Sequence, residues 1–328
     1  MQKSSNIKPI IIVSGEPNSI FSEIFFKSLK NKKIKNIRRP IILIGSADLL
    51  VQQMKKLNYK FKIKILEEDS LFKHRLDNNS INILNIKYRF KKPFDKLSIK
   101  STSYITNCFK TALRISKKIK IAGLINGPIS KSHFNVKNLI GITEYLSKLN
   151  DKYSKEVMLI YNKNLSISPI TTHVPLKQVS KKITINKIIS NVKTINEFYK
   201  IKFFKKKINF AITGLNPHCE SKYTDNEEDR IIKPAIKKLK KKGYKINGPF
   251  AADTLFIKNI RDKFDVIIGM YHDQVLTPMK TIHEYNAINI TLGLDFIRLS
   301  PDHGPNVKDL GKNISNPESM IQCLLFLK

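Results

Sequence analysis

What most constrains this 328-residue sequence is the way its aliphatic residues are grouped. They fall in short unbroken runs, such as Ile10-Ile11-Ile12-Val13 and Ile41-Ile42-Leu43-Ile44, rather than alternating with polar residues. A strand made from such a run has no wet face, so it must be covered on both sides. Strands are predicted at 10–13, 41–44, 81–84, 121–125, 157–161, 167–170, 208–213, 266–270 and 288–292. Amphipathic segments between them predict helices at 20–29, 47–57, 104–117, 186–199, 227–241 and 318–327. Strand–helix alternation of this kind builds α/β layers around a largely parallel sheet. The length suits two lobes of roughly 150 residues each. No repeat or Pro/Ser-rich linker marks their boundary, which is placed at Gly127-Pro128. Residues 1–128 with 294–328 are expected to form the first lobe and 129–293 the second.

Charge raises a different possibility. Sixty Lys and Arg face 26 Asp and Glu, a formal net charge of +34. Such a balance suggests a polyanion partner. The basic residues, however, are scattered in short runs such as Lys205-Lys206-Lys207 and Lys240-Lys241-Lys242, in a chain also rich in Ile and Asn. These three residue types share A/T-rich codons, so base composition accounts for the excess. No aromatic-interleaved basic strand or zinc-finger spacing is present, and no nucleic-acid partner is expected. Cys108, Cys219 and Cys323 are far apart and form no CxxC, which fits a reducing cytoplasm. The first apolar run is shorter than a secretory core, and none reaches the ~18 residues of a membrane helix. A soluble cytoplasmic protein without a membrane partner is expected.

Polar residues gather in loops at the predicted strand ends, where open α/β sheets bind ligands. These loops include Ser14-Gly15-Glu16-Pro17-Asn18-Ser19, Asn126-Gly127-Pro128-Ile129-Ser130-Lys131 and Thr171-Thr172-His173-Val174-Pro175. Others are Gly214-Leu215-Asn216-Pro217-His218 and Met270-Tyr271-His272-Asp273-Gln274. His173, His218 and His272 thus follow strands in equivalent positions. Either they are three separate loop histidines or they meet at one ion, and their equivalence favours the ion. Imidazole suits Zn²⁺, Co²⁺ or Fe²⁺, and three ligands leave room for a substrate. Asp253 and Asp273 are candidate bases or orienting carboxylates, or simply helix caps. His74, His133, His283 and His303 sit in polar contexts without an evident partner.

Taken in order, these loops resemble the 4-hydroxythreonine-4-phosphate dehydrogenase family. The resemblance also rests on Gly248-Pro249-Phe250-Ala251-Ala252-Asp253-Thr254-Leu255-Phe256 and on Asn289-Ile290-Thr291-Leu292-Gly293-Leu294-Asp295-Phe296-Ile297-Arg298. It runs over nearly the whole chain. It implies a fold like isocitrate and isopropylmalate dehydrogenases, with two α/β/α lobes, a cleft between them, and a homodimer with the site at its interface. It implies one divalent ion per site (Zn, Co or Mg) held by His173, His218 and His272, with His272 reaching the partner's site. Thr143, Lys280, Asn289 and Arg298 match substrate-binding positions, and cationic donors suit a phosphorylated carboxylate. Gly214, Leu215 and Asn216 are candidates for contact with NAD or NADP. The implied reaction is oxidation of 4-phosphooxy-L-threonine with decarboxylation, in vitamin B6 biosynthesis.

Three departures stand against the family pattern. Gly141-Ile142-Thr143-Glu144 has Ile142 where the family has histidine. Gly15-Glu16-Pro17-Asn18-Ser19-Ile20-Phe21 lacks the later glycines of the family's Gly-Glu/Asp-Pro-Ala-Gly-Ile-Gly. Cys219-Glu220-Ser221-Lys222 replaces Ala-Gly-Glu-Gly. Ile142 keeps open a dehydrogenase of another phosphorylated four-carbon hydroxy acid; a metal-binding pseudoenzyme and a polyanion binder using the +34 charge are the rival binding-protein readings.

Overall fold

Every residue of β1 (Ile10–Val13) is fully buried, as an all-aliphatic strand requires. The structure, a computed structural model, describes residues 7–72, 76–130, 132–134, 145–146, 156–219, 225–301 and 303–328. After β1 come α1 (Phe21–Lys30), β2 (Ile41–Gly45), α2 (Ala47–Lys56), β3 (Ile63–Leu66), β4 (Ile81–Asn85), α3 (Ser101–Lys118) and β5 (Gly123–Asn126). Ser46 caps α2 by accepting the Leu49 N–H. These strands pair in the order β3-β4-β2-β1-β5, all parallel.

The second half runs β6 (Val157–Tyr161), β7 (Ser166–Thr171), α4 (Ile185–Phe203), β8 (Asn209–Thr213), α5 (Lys233–Lys241), β9 (Lys245–Phe250), β10 (Val266–Tyr271), α6 (His272–His283) and β11 (Ile288–Leu292). A π-helical turn at Glu228–Ile232 leads into α5. The strand order is β11-β6-β7-β10-β8-β9. Here β6 runs antiparallel to both neighbours, while β7, β10, β8 and β9 are parallel. Val275 and Met279 pin α6 to a core with Ile167, Ala211 and Ile267. Each such side chain contributes roughly 1.5–3 kcal/mol. Together they offset the ~3 kcal/mol that Pro278 costs inside the helix.

The chain then returns to the first sheet. β12 (Arg298–Ser300) pairs parallel with β5, and α7 (Glu318–Leu327) closes the sequence. Leu327 of α7 packs against Gly123. The two compact units are therefore Met1–Glu156 with Leu294–Lys328, and Val157–Gly293. The first division falls after Glu156 rather than at Gly127-Pro128. The reason is packing: Gly127 donates its N–H to Val13, Glu16 donates its own to Pro128, and Phe134, Tyr145 and Leu146 join the first unit's core. The α/β class matches the sequence expectation. The structure adds β3, β9, β12 and α6, the last beginning inside the expected 270–274 loop. Among the described residues no helix is long and apolar enough to cross a membrane.

Candidate active site

β7, β10 and β8 are parallel neighbours, so their C-terminal ends share one edge of the second unit's sheet. His173 lies just beyond β7, His272 opens α6 directly after β10, and His218 sits in the turn after β8. The His173 and His272 rings are 6.2 Å apart, centroid to centroid, within one chain. Nδ1 of His272 is 2.6 Å from Oδ1 of Asp273. That bond orients the ring and leaves Nε2 for another partner. His218 follows Pro217 in a turn where both His218 and Cys219 are left-handed, at φ 57°. Within a single chain, no three His, Cys, Asp or Glu among the described residues come together as a metal cluster. Two imidazoles of a divalent site thus fit in donor type and in approach, and His218 does not join them within one chain.

Left-handed non-glycine residues cost about 1–2 kcal/mol each, so the His218 turn has to be held from outside. Glu228, 1% exposed, helps hold the loop that leads into it. Its carboxylate accepts the N–H of Leu215 at 2.7 Å and of Asn216 at 2.9 Å, and the Asn216 amide at 2.8 Å. Burial pushes the Glu228 carboxyl up, but these donors outweigh it and hold the pKa below its ordinary value. Gly214 donates to the Phe250 carbonyl at 2.9 Å. The backbone N–H groups of Gly214, Leu215 and Asn216 are thus spent inside the protein. Any contact these residues make with a cofactor must use other atoms.

Asp253 is exposed in the first turn of the short helix Ala252–Leu255. It lies close enough to Cys219 to add, with Glu228, to the rise that burial imposes on that thiol. Lys280 in α6 is half-buried, and desolvation pushes its ammonium pKa down. Oδ1 of Asn289 in β11 is buried, with no hydrogen-bond partner among the described residues. Arg298 belongs to the first unit and is 3% exposed; its Nε donates to Asn126 at 2.8 Å. Asn126 in turn donates to the Gly127 carbonyl at 2.9 Å. His133 is tied into its turn by the Ser130 and Ser132 hydroxyls. His74, Ile142, Thr143 and the 220–222 stretch lie outside the described residues.

The altered first loop is held by Asn18 and Ser19, the side chains that replace the family's Ala-Gly. Asn18 donates to the Lys96 carbonyl and accepts from the Asp95 N–H, and the Ser19 hydroxyl donates to the Glu16 carbonyl. Glu16 itself is 1% exposed, a burial not legible from its loop position. Desolvation pushes its carboxyl above the ordinary 4.5, against donors from Ser101 and Asn18 and the nearby His133. A carboxyl raised by folding contributes stability that is present below its unfolded pKa and lost as pH rises through the folded one. Glu16→Gln retains the Asn18 bond, and its amide can donate to Ser101, which still donates to Ser98. Thermal melts should therefore show Glu16→Gln more stable than the parent at pH 7 and the gap narrowing toward pH 4. A gap that widens on acidification would contradict this.

The family model described as "Pyridoxal phosphate biosynthetic protein PdxA" matches residues 36–326. The chain belongs to the PdxA family. A relative from Sulfurihydrogenibium sp. (strain YO3AOP1), named 4-hydroxythreonine-4-phosphate dehydrogenase, is 37% identical over 320 residues, 96% of each chain. A crystal structure of the Klebsiella pneumoniae protein of that name aligns with a TM-score of 0.84 at 25% identity, over 98% of both chains. A terephthalate 1,2-cis-dihydrodiol dehydrogenase from Burkholderia xenovorans shares the fold, with a TM-score of 0.64 at 18% identity. As a PdxA member, the chain falls in a family of dehydrogenases, that is, oxidoreductases. Its His173–His272 pair and Asp273 lie within the family-matching strings, whereas Glu228 stands outside them and had no sequence signal to find it by.

Proposed function

We propose that this protein oxidises 4-phosphooxy-L-threonine with NAD or NADP and a divalent ion, as a cytoplasmic homodimer. The observation that carries the reading is the His173–His272 pair at the shared strand edge, in a chain of the PdxA family. His173, His218 and His272 are the residues that would hold the ion, with the set completed across a dimer interface; the approach of His173 to His272 within one chain does not by itself choose which histidine crosses it. When bound, a divalent ion acidifies the substrate alcohol and the nicotinamide takes up the hydride.

The chain's own residues account for binding and proton handling. Arg298 and Lys280 supply cationic donors for phosphate and carboxylate. Arg298 is pre-set by Asn126, and the desolvated Lys280 gains from an anionic partner. The open acceptor of Asn289 suits an ammonium or hydroxyl donor. Thr143 is assigned to the substrate by its motif. Asp253 is the proposed base, acting through water on the C3 hydroxyl, because Asp273 is engaged with His272. Loss of that proton together with the C3 hydride gives a β-keto acid. Its ketone accepts the electrons of the breaking C–C bond, so CO₂ leaves and 3-amino-2-oxopropyl phosphate remains.

Ile142, in place of the family histidine, favours a second reading in which the substrate is another phosphorylated four-carbon hydroxy acid. Reduced nicotinamide should accumulate when the protein, Co²⁺ or Zn²⁺ and NAD meet 4-phosphooxy-L-threonine, and more slowly with four-carbon sugar-acid phosphates. Turnover of only the latter would replace the first reading with the second. No turnover of either would leave a binding protein.

A further inference from the structure

The register of β12 on β5 sets Arg298 beside Leu124 and Leu299 beside Ile125, all within the first unit. Side chains two positions apart on a strand share a face, so Leu124 and Asn126 point to one side of the sheet and Arg298 points there with them. The Arg298 Nε donates to Oδ1 of Asn126 at 2.8 Å, with the two residues 3% and 2% exposed. The other end of the same amide is committed as well. Its Nδ2 donates to the Gly127 carbonyl at 2.9 Å, which turns the amide oxygen toward Arg298. Gly127 cannot drift. Its N–H is held by the Val13 carbonyl at 2.8 Å, and the Ser14 carbonyl oxygen lies 2.2 Å from where a Cβ would stand. Asn126 itself pairs with Val13 at the end of the β1–β5 ladder. The guanidinium plane is thus referenced, through one amide, to the pairing of two buried strands.

We infer that Asn126 is a positioning residue for substrate binding: it fixes the Arg298 guanidinium through a neutral acceptor, which keeps the positive charge for an anionic group of the substrate met at the Nη1/Nη2 end. The inference rests on the proposed substrate role of Arg298. A guanidinium grips a carboxylate or phosphate bidentately either through Nε and one Nη or through its two Nη atoms. With Nε spent on Asn126, a two-bond contact has to use the Nη pair. A carboxylate at position 126 would accept the same Nε–H, but it would neutralise the guanidinium and compete with the ligand. Burial sharpens that competition, because opposite charges attract more strongly away from water. An amide holds the side chain in place without that competition.

The test is calorimetric binding of 4-phosphooxy-L-threonine, and separately of inorganic phosphate, to the full-length protein, with steady-state kinetics and thermal melts alongside. The variants are Asn126→Ala and Asn126→Asp, with Arg298→Met as reference. A hydrogen bond to a charged group is worth about 10–100-fold in affinity. Asn126→Ala should weaken binding of 4-phosphooxy-L-threonine by that much and raise KM in proportion, with kcat moving less. Asn126→Asp should weaken it at least as far although it keeps an acceptor for Nε, a result that a merely structural role does not produce. Should Asn126→Asp fail to fold, because its second oxygen faces the Gly127 carbonyl, Asn126→Ala decides by affinity and KM. A parallel loss with inorganic phosphate supports the inference and assigns Arg298 to the phosphate end; a loss with 4-phosphooxy-L-threonine alone supports it and assigns the carboxylate. Folded Asn126 variants that bind as the parent does would overturn the inference, even with lower melting temperatures. Parent-like binding by Arg298→Met would overturn it too, while leaving the reaction assignment standing. A parent protein that neither binds nor turns over 4-phosphooxy-L-threonine would overturn that assignment and the inference with it.

Discussion

His173→Ala should lower kcat/KM by at least a thousandfold, about 4 kcal/mol of transition-state stabilisation. The ring is exposed in a loop after β7 and stands 6.2 Å from the His272 ring. An exposed loop residue contributes little to folding, so the melting temperature should shift by no more than about 0.5 kcal/mol would produce. Large loss of turnover with an unchanged melt separates a ligand from a structural histidine. Asp273→Ala should fall between, about 10–100-fold down, because it frees the His272 ring without removing it. Steady-state kinetics with added Zn²⁺ or Co²⁺ check both. Near-normal turnover of His173→Ala would remove this histidine from the site.

Gly127→Ala should be the most destabilising single-methyl addition in the first unit. A Cβ there would sit 2.2 Å from the Ser14 carbonyl oxygen and 2.5 Å from the Phe21 ring. Neither can retreat cheaply, since Ser14 extends the fully buried β1 and Phe21 is 4% exposed. Overpacking usually costs about 1–3 kcal/mol, and the backbone contact puts this case near ~3 kcal/mol. For a domain of this size that is a fall of roughly 6–12 °C in Tm. Gly304→Ala is the control, because nothing lies within 4 Å of a Cβ there. Calorimetric melts that find the two variants alike would show that β1 and β5 do not meet as described.

Buried strands were legible because an aliphatic run has one physical reading. β3 was not, since Lys64 and the 62%-exposed Ile65 give an edge strand no such run. β9 contains Gly248 and Pro249, which punctuate a sequence but are tolerated at the edge of a sheet. α6 was hidden by Pro278 and by beginning on His272 with no capping side chain. Among site residues, the histidines were visible from their positions after strands. Gln274 was quoted in a motif without a contact, because two of its partners, the Thr213 hydroxyl and the Gly214 carbonyl, belong to another strand end. Glu228 and Glu16 take their meaning from burial and from the N–H groups that face them, which no local pattern encodes.

The first unit is assembled from both ends of the chain, whereas the second is one continuous stretch, Val157–Gly293. On the ribosome this reverses the usual order of completion. All of the second unit has been synthesised before β12 or α7 exists, while β5 waits with an unpaired edge and Asn126 lacks Arg298. Domains generally fold as units as they emerge, at about 5–20 residues per second. The early half of this protein is therefore the last to be finished, and a truncated nascent chain strands the first sheet without its sixth strand.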